Sequence, residues 1–227
     1  LLAIVICTVL GITIEKIAYK PLRGASPLAV LITAIGISYM LQALAQIIFG
    51  PNGEKADYLN FKNIKLWGIT LETSTVITVV CSAIIMVALS LFVKYTKTGR
   101  AMIAVSEDRG ASELMGISVN KIIAITFAIG SALAAVAGFF MLWSVGSVTP
   151  TTGALPGIKA FAAAVIGGIG SLPGAMLGGI LMGVVEAISL KIPPIAPYTD
   201  AIEFIILIII LLVKPTGILG KKRREKV

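Results

Sequence analysis

Long apolar runs separated by short polar islands set the pattern of the chain. Leu28–Phe49, residues 74–93 and residues 122–145 each reach the ~20 residues a helix needs to cross a bilayer. None of the three contains Asp, Glu, Lys or Arg. Residues 1–14 form a shorter run, read as the end of a span whose start precedes it. Residues 201–213, "AIEFIILIIILLV", are short for a crossing, and Pro197 and Tyr198 are placed to extend their outer end. Residues 158–190 form a further apolar region broken by "GGIGSLPGAMLGG". Its length predicts two short segments joined by a Gly-Pro turn at 171–174. The pattern therefore predicts an all-α integral membrane protein, a polytopic helical bundle with about seven membrane segments here and N-terminal spans missing. It reads as one transmembrane domain over 1–227.

Composition sharpens this class. Hydrophobic residues make up 57% of the chain and charged residues 13%, against roughly 25% charged in soluble domains. An aqueous core cannot absorb that excess. Histidine is absent, which removes the commonest general base and metal ligand. Cys7 and Cys81 lie in separate apolar runs and form no CxxC pair, so they read as inert thiols without a disulfide or metal role. Neither a paired-carboxylate catalytic signature nor a Ser/His/Asp set is visible, and the chain reads as a non-enzyme. The opening "LLAIVICTVL" lacks a basic n-region and is read as a trimmed start, not a signal peptide.

The net charge of +8 acquires meaning once the charges are placed, because cytoplasmic loops are enriched in Lys and Arg. It reports sidedness and not nucleic acid. With the tail "KKRREKV" (221–227) inside, alternation through the segments puts 15–26 and 94–121 inside, and 50–73, 146–157 and 191–200 outside. Lys16, Lys20, Arg23, Lys94, Lys97, Arg100, Arg109, Lys121, Lys214, Lys221, Lys222, Arg223, Arg224 and Lys226 then face the cytoplasm. Only Lys55, Lys62, Lys65 and Lys191 face out, with Lys159 at a boundary. The outer loop 50–73 carries "LWGITLE", read as a strand or an interfacial segment with Tyr58 and Trp67 near the headgroups. It is either a solvated loop or a contact for an extracytoplasmic partner.

The stretch 96–117, "TKTGRAMIAVSEDRGASELMGI", is a charged, helix-like island between apolar runs. Thr98 is a plausible N-cap, 100–114 is helix-compatible, Gly110 is a weak point, and Gly116 is a natural stop. Ala101, Ala104, Val105, Ala111 and Met115 share one side of a wheel. This describes a short, imperfectly amphipathic helix. It is either a surface helix that closes the loop or a docking helix whose small side chains fit a groove and whose charges set the register.

The glycine-rich region has no GxxxxGK[ST] phosphate loop, so no nucleotide site is visible. Gly167, Gly168, Gly170, Gly174, Gly178, Gly179 and Gly183 include two GxxxG pairs, which let helix backbones approach closely. Such a segment belongs in the bundle interior, packing helices or lining a pathway. Glu186 sits well inside an apolar segment, where a carboxylate is paired, protonated or cavity-facing. A plain interfacial position is its other reading. Lys159, Asp200 and Glu203 lie nearer span ends, where snorkelling is the default.

An ordered set of stretches resembles the permease subunits of bacterial branched-chain amino acid transporters, closest to the LivH type. The set comprises "YKPLRGASPLAVLITAIGISYMLQ", "TGRAMIAVSEDRGASELMGI", "FAIGSALAAVAGF", "GIKAFAAAVIGGIGSLPGAMLGG" and "KPTGILGKK". The resemblance implies an inner-membrane subunit of an ATP-binding-cassette importer for leucine, isoleucine or valine. Its implied partners are a second homologous permease, two cytosolic ATP-binding subunits that hold ATP and Mg, an extracytoplasmic binding protein, and the lipid bilayer. The chain itself would hold no cofactor. The resemblance also implies that 98–116 is the ATPase-coupling element, with Thr98, Gly99, Arg100, Asp108, Arg109, Glu113 and Gly116 as its residues. Ala111–Ser112–Glu113 stands where the general coupling motif begins Glu-Ala-Ala. Permeases for urea or amides are the alternative within the family, and an ion-coupled secondary transporter is the alternative outside it.

Overall fold

In the computed structural model, residues 1–55, 64–66 and 69–220 are described. Tyr58, Lys62, Trp67 and the basic tail 221–227, all used in the sequence reading, lie outside them. Nine α-helices are found among the described residues: α1 Leu2–Ile14, α2 Pro27–Phe49, α3 Thr73–Tyr95, α4 Lys97–Glu107, α5 Arg109–Leu114, α6 Val119–Val145, α7 Ala154–Gly167, α8 Leu172–Lys191 and α9 Thr199–Val213. A π-helical turn, Glu15–Tyr19, prolongs α1, and a 3₁₀ turn, Ala196–Tyr198, leads into α9. Four short strands accompany them. β1 Glu54–Lys55 pairs antiparallel with β4 Ser147–Val148, and β2 Ile64–Leu66 with β3 Ile69–Leu71. The strand reading of "LWGITLE" thus holds for Leu66 and 69–71.

Six helical stretches are long and apolar enough to cross a membrane: Leu2–Tyr19, Leu28–Phe49, Thr73–Tyr95, Val119–Val145, Leu172–Lys191 and Ala196–Val213. Ala154–Gly167 is apolar but shorter, so six of the seven expected segments are long enough to cross. Exposed Ile, Leu and Val side chains cover these helices, as a hydrocarbon solvent requires. The chain divides into two compact units, Leu1–Thr152 and Gly153–Val227.

In the first unit α1 packs along α6. Gly11 is buried, and a Cβ there would lie 1.9 Å from Ser131 Oγ. Tyr19 and Phe127 pack with ring centroids 5.1 Å apart and planes tilted by 45°. A second, smaller core joins α4 to the first turn of α6, where Val105, Val119 and Ile122 are buried under Ala101, Met102, Ile117 and Ile123.

In the second unit α7 and α8 form a hairpin covered by α9. Its core is Ala162, Ala163, Ile166 and Met182, packed by Phe204, Leu207, Ile210 and Ile218. The hairpin turn is not at 171–174 as the sequence predicts. It is made by Gly168 (φ +107°) and Gly170 (φ +92°), conformations that only glycine adopts without strain. Ser171 instead caps α8, its Oγ accepting the Gly174 N–H at 3.1 Å, with Pro173 in the first turn. Chain after α9 returns to this turn. The N–H groups of Ile218 and Leu219 donate to the carbonyls of Ile166 and Gly167 at 2.8 and 2.9 Å, satisfying acceptors that a helix end otherwise leaves open.

Candidate functional site

The charged island folds as two helices and not one. Thr96, not Thr98, is the N-cap: its backbone is extended, and its Oγ1 accepts the Gly99 N–H at 2.9 Å. Thr98 sits in the first turn, half-buried. The helix stops at Asp108, which is extended and caps the next one, its Oδ1 accepting the Ala111 N–H at 3.0 Å. An Asp three residues before a free N–H is a stronger signal than the helix propensity around it, and the wheel drawn through 108 overlooked it. The break resets the helical phase. Val105 and Ser112 are buried, whereas Ala111 and Met115 are exposed, so the single apolar face proposed over 101–115 does not exist.

Gly116 ends α5 as expected. Its φ is +79°, its N–H donates to the Glu113 carbonyl, and the Ile117 N–H donates to that of Ser112. This is the Schellman arrangement. The result is an exposed knob. Leu114 and Met115 are 91% and 81% exposed at its tip. Arg100, Glu107, Asp108, Arg109 and Glu113 are exposed along the same two helices, and none forms an ion pair among the described residues.

Gly99 fixes where the knob sits. It is buried, and a Cβ there would lie 2.4 Å from Val93 Cα and 2.5 Å from two carbonyl oxygens at the end of α3. Backbone cannot yield as a side-chain tip can. Gly99→Val is therefore expected to displace α4 from α3 and cost at least about 2 kcal/mol by overpacking. A lowered thermal midpoint of the detergent-solubilised protein, with Thr98→Val close to wild type, is the check.

At the same end of α6 lies a network the sequence reading missed. Arg23 binds the carboxylate of Glu15, which is 3% exposed, and the side-chain oxygen of Asn120 in the first turn of α6. The 20–26 connection is thereby tied to α1 and to the turn of α6 that seats α4. The available signal was an acid, Glu15, at the end of an apolar run with an Arg one short loop away. Counting Arg23 only as a loop cation hid it.

The glycines of the second unit separate into two groups. Gly167, Gly174 and Gly178 are buried where α7 crosses α8: a Cβ on Gly178 would lie 2.0 Å from the Ala163 oxygen, and one on Gly167 2.0 Å from that of Gly174. Gly168 lies against Gly220, and Gly170 serves the turn. Gly179 and Gly183 have nothing within 4 Å, so the second GxxxG pair packs no helix among the described residues.

Four charges read separately in the sequence meet in one cluster. Lys159 Nζ on α7 lies 2.8 Å from Glu186 of α8, and 2.9 and 3.3 Å from Asp200 and Glu203 of α9. Glu203 is fully buried, which overrides the snorkelling expected of it. For Glu186 the paired reading holds. The signal was present as one cation and three acids on three consecutive apolar segments. Among the described residues no cluster of ligating side chains could hold a metal ion.

The comparisons with known proteins agree with this architecture. The family described as branched-chain amino acid transport system / permease component matches residues 1–211. The chain is 42% identical to the high-affinity branched-chain amino acid transport system permease protein BraD of Pseudomonas aeruginosa, over 99% of this chain and 75% of that one. It is also 42% identical to the LivH permease protein of the same description from Escherichia coli K12, over 99% and 74%. The probable LivH permease of Methanocaldococcus jannaschii is 31% identical over 91% and 69%. No solved structure matches the chain. The chain belongs to the branched-chain amino acid transport permease family.

Proposed function

We propose that this permease, acting as one transmembrane domain over residues 1–227, carries branched-chain amino acids inward through the bacterial inner membrane. Two cytosolic ATP-binding subunits, holding ATP and Mg, drive it. It pairs with a second homologous permease and receives leucine, isoleucine or valine from an extracytoplasmic binding protein, while the chain hydrolyses no ATP and holds no cofactor itself. The observation that carries this reading is the knob of α4 and α5. Exposed charges without ion-pair partners on the two helices that carry an exposed Leu–Met tip, on a base fixed by buried Val105, Val119 and Ile122, are the form of a docking element. Residues 96–117 are its coupling segment and 50–73 its extracytoplasmic loop.

ATP binding would favour one state of the ATPase pair, and the membrane bundle would follow only if the knob binds the two states differently. The first turn of α6, gripped both by α4 and through Asn120 by Arg23, is the place where such a displacement enters the spans.

Two measurements test this. Glu113→Lys combined with Leu114→Asp should reduce the ATPase subunits that co-purify with the permease by about tenfold, as loss of a central interface anchor does. Unchanged co-purification and uptake would reject docking here. Asp108→Cys, in a background lacking Cys7 and Cys81, should resist a membrane-impermeant thiol reagent in intact cells and react in inverted vesicles. Reaction from outside would reverse the assigned sidedness, with the C-terminus no longer cytoplasmic.

A further inference from the structure

Helix α2 differs from the other long helices of the first unit. Apart from Pro27, whose side chain is not described, not one of its residues is buried. Its outward half nevertheless carries polar groups on one face. At 100° per residue, Ser38, Tyr39, Gln42 and Gln46 fall within an arc of about 100°, while Met40 and Leu44 point the other way. Gln42 Nε2 donates to Ser38 Oγ at 3.0 Å, joining neighbouring turns. Tyr39 is 67% exposed, and Ser38 and Gln46 are exposed as well.

In hydrocarbon such a stripe leaves amide and hydroxyl groups without partners, so polar side chains in spans turn toward protein or a water-filled cavity. The chemistry of the stripe selects between occupants. A hydroxyl, a phenol and two primary amides are uncharged, and each both donates and accepts. They match a solute that offers an ammonium and a carboxylate together and carries no net charge. Apolar Leu31 and Ile35 continue the same face toward the N-terminal end of the helix, beside which an aliphatic side chain would lie.

We propose that the Ser38–Tyr39–Gln42–Gln46 face of α2 lines the solute path and holds the zwitterionic head of an α-amino acid as it passes. The inference rests on the reading of the chain as an amino-acid permease and names the surface that would meet the substrate.

The test uses the complete importer in membrane vesicles. Single cysteines replace Ser38, Gln42, Gln46, Met40 or Leu44 after Cys7 and Cys81 have been changed to Ala. A water-soluble methanethiosulfonate reagent should modify positions 38, 42 and 46 at least about tenfold faster than 40 and 44, because only thiols in water ionise readily. Saturating leucine, supplied with the binding protein and ATP, should slow modification at 42. Gln42→Leu should lower leucine uptake about tenfold, the effect of one lost hydrogen bond to a charged group, with the co-purified ATPase unchanged. Equal reactivity on both faces overturns the proposal. So does spontaneous cross-linking of 38 and 42 to the second permease, which would make the stripe a subunit contact. Protection by urea but not by leucine overturns the zwitterion assignment. ATPase association, the first readout of the docking test, stays unchanged in the α2 variants, so the two readings fail separately.

Discussion

Lys159→Met is expected to be among the most damaging single substitutions in the second unit. Lys159 is the one cation among Glu186, Asp200 and Glu203, and it joins α7, α8 and α9 at a single point. Removing it leaves a fully buried Glu203 beside two other carboxylates. Breaking a buried ion pair by deleting one partner costs about 3–5 kcal/mol, because the surviving charge has lost both water and its counter-ion. The thermal midpoint in detergent should fall sharply, and most of the protein should be lost before purification. Adding Glu203→Gln to Lys159→Met should recover a large part of the loss, since the double variant removes the orphaned charge. Lys159→Arg should keep the charge and lose some of the three-way geometry. A Lys159→Met protein as stable as wild type would show that the cluster does not hold the three helices.

Gly178→Val and Gly179→Val form a pair of neighbours with opposite expected outcomes. At 178 a Cβ would come within 2.0 Å of the Ala163 oxygen and 2.9 Å of its carbonyl carbon, so the α7–α8 hairpin must open to admit it. Overpacking of this kind costs about 1–3 kcal/mol when side chains can give way, and more here because the obstacle is backbone. At 179 nothing lies within 4 Å, and valine should leave hairpin stability nearly unchanged. The yield of monodisperse protein and its thermal midpoint report both. Gly178→Val should aggregate while Gly179→Val purifies normally. Equal tolerance at the two positions would contradict the helix crossing described.

These cases show how much could be read from residues alone. The spans were legible because a bilayer imposes a length and a polarity on any helix that crosses it, and Leu28–Phe49 or residues 122–145 meet both without competing signals. The coupling segment was legible in place but not in form. Thr96 and Asp108 decide where its helices begin through single side chain–backbone bonds, which helix periodicity does not register. The glycines were legible as a group, yet the sequence treats 174–178 and 179–183 alike. Only the direction of α8 relative to α7 tells them apart. The ion cluster escaped because its members are near one another only after three helices have packed. Interpreting each charge against its own segment, as snorkelling or interfacial, discards that possibility from the start.

The return of residues 218–219 to the α7 carbonyls sets an order of events during biosynthesis. A ribosome releases α7 and the glycine turn well before the residues that close them, because α8 and α9 are made in between. Until then Ile166 and Gly167 must borrow hydrogen bonds from water, lipid headgroups or the insertion machinery. The later stretch thus acts as a latch on work already done, and a chain cut before Ile218 would yield a hairpin that is inserted yet never sealed.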